Sequence, residues 1–324
     1  MIHVDVLTWV DACLAGAGRA RSGAVAQVRD RPWGRVWAVP TDHGTTWLKE
    51  PAAPVRFEVA LLATLARLQP RLGPEVLGVH EGARVLLADA GRTFRDLYAP
   101  ADLPGPFTAA LVQVGALQRS AARRVPDLLA AGVADLRPAA LPGRFDELVD
   151  GLGPEPVRAA DARAVLVDVC EQLARSAVPA SIDHNDLHDA NVLRDGTART
   201  VVIDWGDSVL AHPFATLLVP QRVVADAVGR NVDHPWDVPA VAAARRAYLA
   251  GFEPLAPGED LDRTARLAVT AAHVARAWVW RRALATLDAA VGAPDDPALA
   301  DVAAGARGWL QLAIDALTGE DSAR

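Results

Sequence analysis

One lysine, Lys49, stands among 324 residues, so the other 32 of the 33 basic residues are arginines. Cysteine is nearly as scarce: Cys13 and Cys170 lie far apart with no C-x-x-C spacing. Neither a disulfide framework nor a cysteine zinc site is suggested, and both thiols are expected as reduced core residues. A basic excess is missing too, with 40 Asp plus Glu against 33 Lys plus Arg and a net charge of -7. That sign removes the field that non-specific nucleic-acid binding requires. No stretch approaches the roughly 18 apolar residues of a membrane span. The first twenty residues lack a basic n-region and are interrupted by Asp5 and Asp11. A soluble cytoplasmic protein without an obligate protein partner is the expectation.

What is present is enough for a large core: 51% of the residues are hydrophobic and 23% charged, with no internal repeat or low-complexity tract. The arginine bias gives the lone lysine meaning. Wherever a positive charge only had to be solvated, this chain carries Arg. A retained Lys suggests a site that needs a compact, rotatable ammonium rather than a planar fork, and phosphate coordination is one such task.

Residues 24 to 49 read as strands, AVAQVRD, RVWAV and TTWLK, separated by turns at Pro32-Trp33-Gly34 and Thr41-Asp42-His43-Gly44. Lys49 ends the last of them. Past Pro54, Phe57, Ala60, Leu61, Thr64, Leu65 and Leu68 follow helical spacing, with Glu58 early in the helix. Short strands are expected at EVLGVH and ARVLLA, and the Gly-containing ADAGRT could join two lobes near residue 90. Beyond it the pattern is helical at 106–124, 158–176, 213–228, 238–251, 260–290 and 296–317, while Pro- and Gly-rich pieces at 100–106, 138–143 and 151–156 read as connections. A sheet with one helix followed by a mostly helical region is an α+β pattern, divided into residues 1–90 and 91–324.

The stretch SIDHNDLHDANVLRDGTARTVVIDWGDS, residues 181–208, breaks that helical pattern. VLR and RTVVI around Asp195-Gly196 read as a hairpin. Asn191 before the first strand and Asp204 after the second then share one end, about 4.5 to 5.5 Å apart at Cα if directly opposed. Two oxygen-bearing side chains there could share Mg²⁺, which keeps other positions for water and phosphate. Asp186 enters the same end, where a carboxylate could take a proton from an acceptor hydroxyl. His184 and His188 flank it as rings that hold the loop, Asp189 and Asp195 read as turn or capping residues, and Asp207 has no assigned role.

His184-Asn185-Asp186-Leu187-His188-Asp189-Ala190-Asn191 matches H-x-D-x-x-x-x-N, and Ile203-Asp204-Trp205-Gly206 stands where a kinase fold carries D-F-G. The chain resembles the aminoglycoside phosphotransferase and choline kinase-like family. The resemblance implies a two-lobed protein-kinase-like fold and transfer of a γ-phosphoryl group from ATP or GTP to a small-molecule hydroxyl with Mg²⁺. It implies Asp186 as catalytic base, Asn191 and Asp204 as Mg²⁺ ligands, Lys49 on the nucleotide phosphates and Glu58 as the partner of Lys49. Glu50 competes for that last role, but it is adjacent on a strand and points to the other face. The chain departs from the kinase pattern in lacking G-x-G-x-x-G between its first strands, so a phosphate cover there must use fewer backbone N–H groups, and in lacking any A-P-E-like segment, which speaks against a protein substrate.

Two rivals stand beside this reading. His184, Asp186 and His188 alternate, so on an extended strand they could bind Zn²⁺ for hydrolysis. A nucleotide-binding module without catalysis is the other. For the acceptor, an acidic pocket would suit a polycationic aminoglycoside and an aromatic one a quaternary amine, while a sugar or amino alcohol could use either. Trp236, Trp278, Trp280, Asp226, Asp233, Asp237, Arg281 and Arg282 are the features available to form it. Trp278 and Trp280 are two apart on a helix and cannot both face one way.

Overall fold

The N-terminal strands form because their apolar residues alternate and their turns carry glycine. In the computed structural model, which describes residues 2–290 and 297–319, β1 (Ala26–Arg31), β2 (Gly34–Thr41) and β3 (Gly44–Pro51) make an antiparallel meander. β2 pairs with β3 from Gly34 opposite Pro51 to Thr41 opposite Gly44. One face of the sheet buries Trp37, Val39, Leu48 and Leu86 against α1 (Val4–Gly16), a helix absent from the elements expected of the sequence. Its buried Val6, Val10 and Leu14 recur every four residues, a helical stripe. Two helices therefore flank this sheet rather than the single one expected. The second, α2 (Phe57–Leu68), lies where its spacing predicts and buries Leu61, Leu62 and Leu65. Strands β4 (Val76–His80) and β5 (Arg84–Leu87) complete the order β1-β2-β3-β5-β4.

After the sheet the chain passes Gly91, whose φ of 87° and contact with the Arg194 carbonyl leave no room for a Cβ. Helices Pro104–Ala121, Pro156–Ala174, Leu218–Ala227, Pro239–Ala250, Leu261–Ala290 and Pro297–Thr318 then follow the periodic segments closely. A further helix, Leu141–Leu152, occupies part of what reads as connections at 138–143 and 151–156. Proline at its first turn is compatible with a helix start, so Pro142 marks a beginning rather than a loop. One core runs from α2 through these helices, with Phe107, Phe145, Phe214 and Tyr248 among its largest buried side chains.

The architecture is α+β, an antiparallel sheet followed by a helical region. Cys170 is buried as expected, but Cys13 is only half-buried, at the margin of the α1 cluster. Among the described residues no helix is long and apolar enough to cross a membrane.

Candidate active site

Lys49 projects from β3 toward α2, on the face opposite Leu48. Its Nζ donates to Glu58 Oε1 and to Asp204 Oδ1, both at 2.7 Å. Burial pulls the ammonium's pKa down, but the charges of Asp204 and Glu58 outweigh it and hold the group protonated. Asp204 is kept ionised in turn, first by the Lys49 charge. Glu58 is 1% exposed, and burial raises its pKa against the pull of Lys49. Glu50, the rival partner, instead accepts from Arg84 on the other face. The lone lysine thus joins the sheet, its helix and the segment after the second hairpin strand.

That hairpin forms from Val192–Arg194 and Thr200–Val202. Its register differs from the simple opposition expected of Asn191 and Asp204. Val192 pairs with Val202, and the Ile203 N–H donates to the Asn191 carbonyl at 3.0 Å. Asp204 therefore lies one residue further on, at φ 61° and ψ 58°. These left-handed angles are unusual for a residue with a Cβ and here accompany the carboxylate's contact with Lys49. Asp195 caps the turn as predicted, accepting from the Thr197 and Arg199 N–H groups at 2.9 Å.

The loop before the hairpin is held by its own side chains. His184 is fully buried, with Nε2 at 2.9 Å from the Ile203 carbonyl and Nδ1 accepting from the Asp186 N–H at 3.3 Å. Both ring nitrogens are engaged in holding the loop. Asn185 takes φ 65°, a conformation that Asn tolerates. Its N–H donates to the buried Asp183 at 3.0 Å, and Asp183 also accepts from Thr216 Oγ1. Among the described residues no group of three or more His, Cys, Asp or Glu is placed to hold a metal. The zinc reading of His184, Asp186 and His188 fails on that arrangement, because the segment is a loop and not a strand with all three facing one way.

Asn191 donates through Nδ2 to the Asp186 carbonyl at 2.9 Å and lies 3.2 Å from His188 Nε2. Its amide hydrogens are directed inward, which leaves the carboxamide oxygen as the end suited to a cation. Asp204 spends Oδ1 on Lys49, and its side chain keeps 38% exposure. An oxygen-only pair with one carboxylate fits a hard divalent cation such as Mg²⁺ and would leave other coordination positions to water and phosphate.

Asp186 faces the same cleft as Lys49, Glu58 and Asp204, a space of about 350 Å³. Burial raises its pKa, opposed chiefly by Arg276, whose Nη2 donates to Asp186 Oδ1 at 2.6 Å. Arg276 also donates to Asp207 Oδ2 at 2.9 Å, giving Asp207 the partner that the sequence did not reveal. Asp189 is turned away onto Arg95, at 2.7 Å. Of the tryptophans, Trp280 lines the cleft and Trp278 packs on the outer core, with Nε1 donating to Glu147 at 3.0 Å. Trp236 is buried with the Arg245 and Arg266 guanidiniums 3.8 and 4.4 Å from its ring centroid. Neither it nor Asp226, Asp233, Asp237 or Arg281 lines the cleft, whereas Arg282 does. A second space of about 560 Å³ continues under the sheet from Lys49 to Trp47, Asp89 and Asn191.

The fold has known counterparts. The structure is similar to macrolide 2'-phosphotransferase MphH from Brachybacterium faecium, at 19% identity and a TM-score of 0.56 over 93% of this chain and 97% of that one. It is similar to choline kinase LicA from Streptococcus pneumoniae, at 11% identity and a TM-score of 0.58 over 95% and 99%. A third likeness is to the Plasmodium vivax ethanolamine kinase, at 10% identity and a TM-score of 0.59 over 89% and 82%. At these identities the likenesses carry the fold, which is protein-kinase-like. No curated protein matches the chain in sequence. Residues 33–263, most of the chain and all of the segments described above from β3 to the hairpin, match the phosphotransferase enzyme family, APH, and the chain belongs to that family.

Proposed function

We propose that the protein transfers the γ-phosphoryl group of ATP or GTP to a hydroxyl of a small molecule, with Mg²⁺. The observation that carries this reading is the Lys49 ammonium between Glu58 and Asp204, in one cleft with Asp186. An ammonium has three N–H donors. Two are spent on carboxylates, and the third is free to meet a phosphate oxygen. Glu58 keeps the ammonium aimed, and the space running from Lys49 to Trp47 and Asp89 accepts the rest of the nucleotide. Asp204 and Asn191 would hold the cation, which supplies charge neutralisation to the phosphates. Asp186 orients the acceptor hydroxyl and receives its proton, its carboxylate held in place by Arg276 and by a loop that His184 braces.

In this reading residues 1–90 form the nucleotide-binding lobe and residues 91–324 the catalytic and acceptor-binding lobe. Catalysis consists mainly of positioning and charge stabilisation. Asp204→Ala, which removes both the Lys49 contact and a cation ligand, is expected to abolish ADP or GDP release while nucleotide-free protein still folds. The test compares wild type and variant by nucleotide titration and by product release with a panel of hydroxyl acceptors. Unchanged turnover in Asp204→Ala refutes the assignment. Tight nucleotide binding by wild type with no transfer to any acceptor would favour a non-catalytic module.

A further inference from the structure

Arg276 lies outside the H-x-D-x-x-x-x-N motif and the segment around Asp204. It extends from the helix Leu261–Ala290, is 6% exposed and donates to both carboxylates on the acceptor side of the cleft, Asp186 at 2.6 Å and Asp207 at 2.9 Å. It also reaches Asn185 Oδ1 at 3.4 Å. Farther along the helix, Arg282 donates to the Gly206 carbonyl at 2.8 Å and stands 4.0 Å from the other oxygen of Asp207. The remaining cleft carboxylates, Glu58 and Asp204, share Lys49. Every carboxylate of the described cleft wall is therefore already matched by a cation.

A cationic acceptor needs an unmatched carboxylate or a free aromatic face to offset the loss of water around its charge, and the Trp280 ring already has the Arg276 guanidinium 5.9 Å from its centroid. This wall offers no unmatched carboxylate, and it sets a fixed guanidinium beside the reacting group. What the wall has left is different in kind. Arg29 and Arg31 of β1 line the cleft as further donors, Val55, Val279 and Ala283 supply apolar surface beside Trp280, and Arg276 Nε and Trp280 Nε1 are buried behind that wall. Donors and an aromatic wall suit oxygen-rich, uncharged molecules.

We infer that Arg276 sets the acceptor class, pairing with Asp186 and Asp207 so that amino-bearing acceptors are excluded and an uncharged polyhydroxy compound of the sugar type is received against Trp280. This rests on the phosphotransferase reading above. Arg276 acts here as a specificity and positioning residue, because it touches Asp186 rather than the transferred group.

The test uses matched acceptors: glucose with glucosamine, and glycerol and myo-inositol with choline and kanamycin, assayed by ADP release below pH 7 so that the amines are protonated. For wild type, kcat/KM for at least one uncharged member is expected to exceed that of its cationic counterpart by on the order of 10²-fold. Arg276→Gln frees the two carboxylates and is expected to shrink that ratio at least about tenfold, with gain toward the amines. A merely structural arginine would lower both members together and leave the ratio unchanged. The wild-type ratio stands even if the variant folds poorly. Preference for an amine, a ratio unmoved in Arg276→Gln, or nucleotide binding with no transfer to any uncharged member overturns the inference alone. Absence of nucleotide binding by wild type overturns the kinase reading and this inference with it.

Discussion

Replacing Lys49 with methionine isolates the electrostatics of the site from its chemistry. The substitution keeps most of the aliphatic stem and removes the charge that lies 2.7 Å from both Glu58 and Asp204. The two carboxylates do not respond alike. Asp204 loses the charge that chiefly lowers its pKa, but its side chain is 38% exposed and water takes up part of that role. Glu58 is 1% exposed, its Oε2 has no hydrogen-bond partner among the described residues, and without Lys49 its Oε1 loses the only one it has among them. Breaking a buried ion pair from one side costs about 3 to 5 kcal/mol. Protonation limits that cost. Neutralising a carboxyl of ordinary pKa about 4.3 takes about 1.4 kcal/mol per pH unit, hence roughly 3.7 kcal/mol at pH 7 and about 1 kcal/mol at pH 5.

The sign follows from the direction of the shift. Burial already raises Glu58 in the wild type and Lys49 holds it down, so its folded pKa rises further in the variant. A group raised on folding contributes its stability below its unfolded pKa and loses it as pH climbs through the folded value. The gap between wild type and Lys49→Met must therefore widen from pH 5 to pH 8. With an unfolding entropy of about 2.1 cal/mol/K per residue, a loss of about 3 kcal/mol lowers Tm by about 4 to 5 °C for a chain of this length. Thermal unfolding followed by circular dichroism at the two pH values, without nucleotide or metal, reads this directly. Melting within about 1 °C of wild type at both values, or a larger loss at pH 5, would refute the buried-carboxylate argument. Lys49→Arg keeps the charge and should preserve the fold, but its larger planar head should weaken nucleotide binding and lower kcat.

Other outcomes follow from neighbouring residues. Asp186→Asn should lower kcat on the order of 10² to 10⁴-fold with nucleotide affinity nearly intact. Asp189→Asn, whose carboxylate is tied to Arg95, should cost far less; a larger loss for Asp189→Asn would place the catalytic carboxylate on the wrong side of His188. His212 is buried and its pKa is pushed down to about 4, chiefly by burial, so the unfolded chain binds the extra proton between that value and the ordinary 6.5. Stability should rise by about 3 kcal/mol across that window, and His212→Asn, which retains an acceptor for the Phe214 N–H, should flatten this part of the Tm profile. An unaltered slope would mean that other groups carry the acid sensitivity.

What the sequence discloses about this site is what short-range chemistry enforces. The strands around Lys49 and the hairpin after Asn191 rest on alternation and turn residues, and the spacing of Glu58 from Pro54 puts it in the first helical turn. Even the register error is local: reading the second strand from residue 199 sets Asp204 opposite Asn191, whereas Arg199 belongs to the turn that Asp195 caps. α1 carried a usable signal in Val6, Val10 and Leu14, but a single stripe without a strong cap beside a sheet is easily passed over. Arg276 had none. It meets Asp186 across 90 residues, from a helix rich in arginines whose sequence does not distinguish a buried guanidinium from a solvated one.

The same composition that hides Arg276 makes Lys49 visible, and the structure supplies a physical reason for the difference. Arg276 grips two carboxylates through different guanidinium nitrogens, Nη2 to Asp186 and Nη1 to Asp207, a spread that a planar fork provides. At Lys49 both carboxylates converge on one nitrogen at 2.7 Å, one from the sheet's helix and one from the segment after the hairpin. A guanidinium placed there would have to set its plane between them, with a longer reach and a fixed donor pattern. An ammonium spends two donors and keeps a third that rotates toward a ligand. In a chain that writes nearly every cation as arginine, lysine persists where charge must act as a point, and arginine fills the neighbouring position where charge must be divided between two acids.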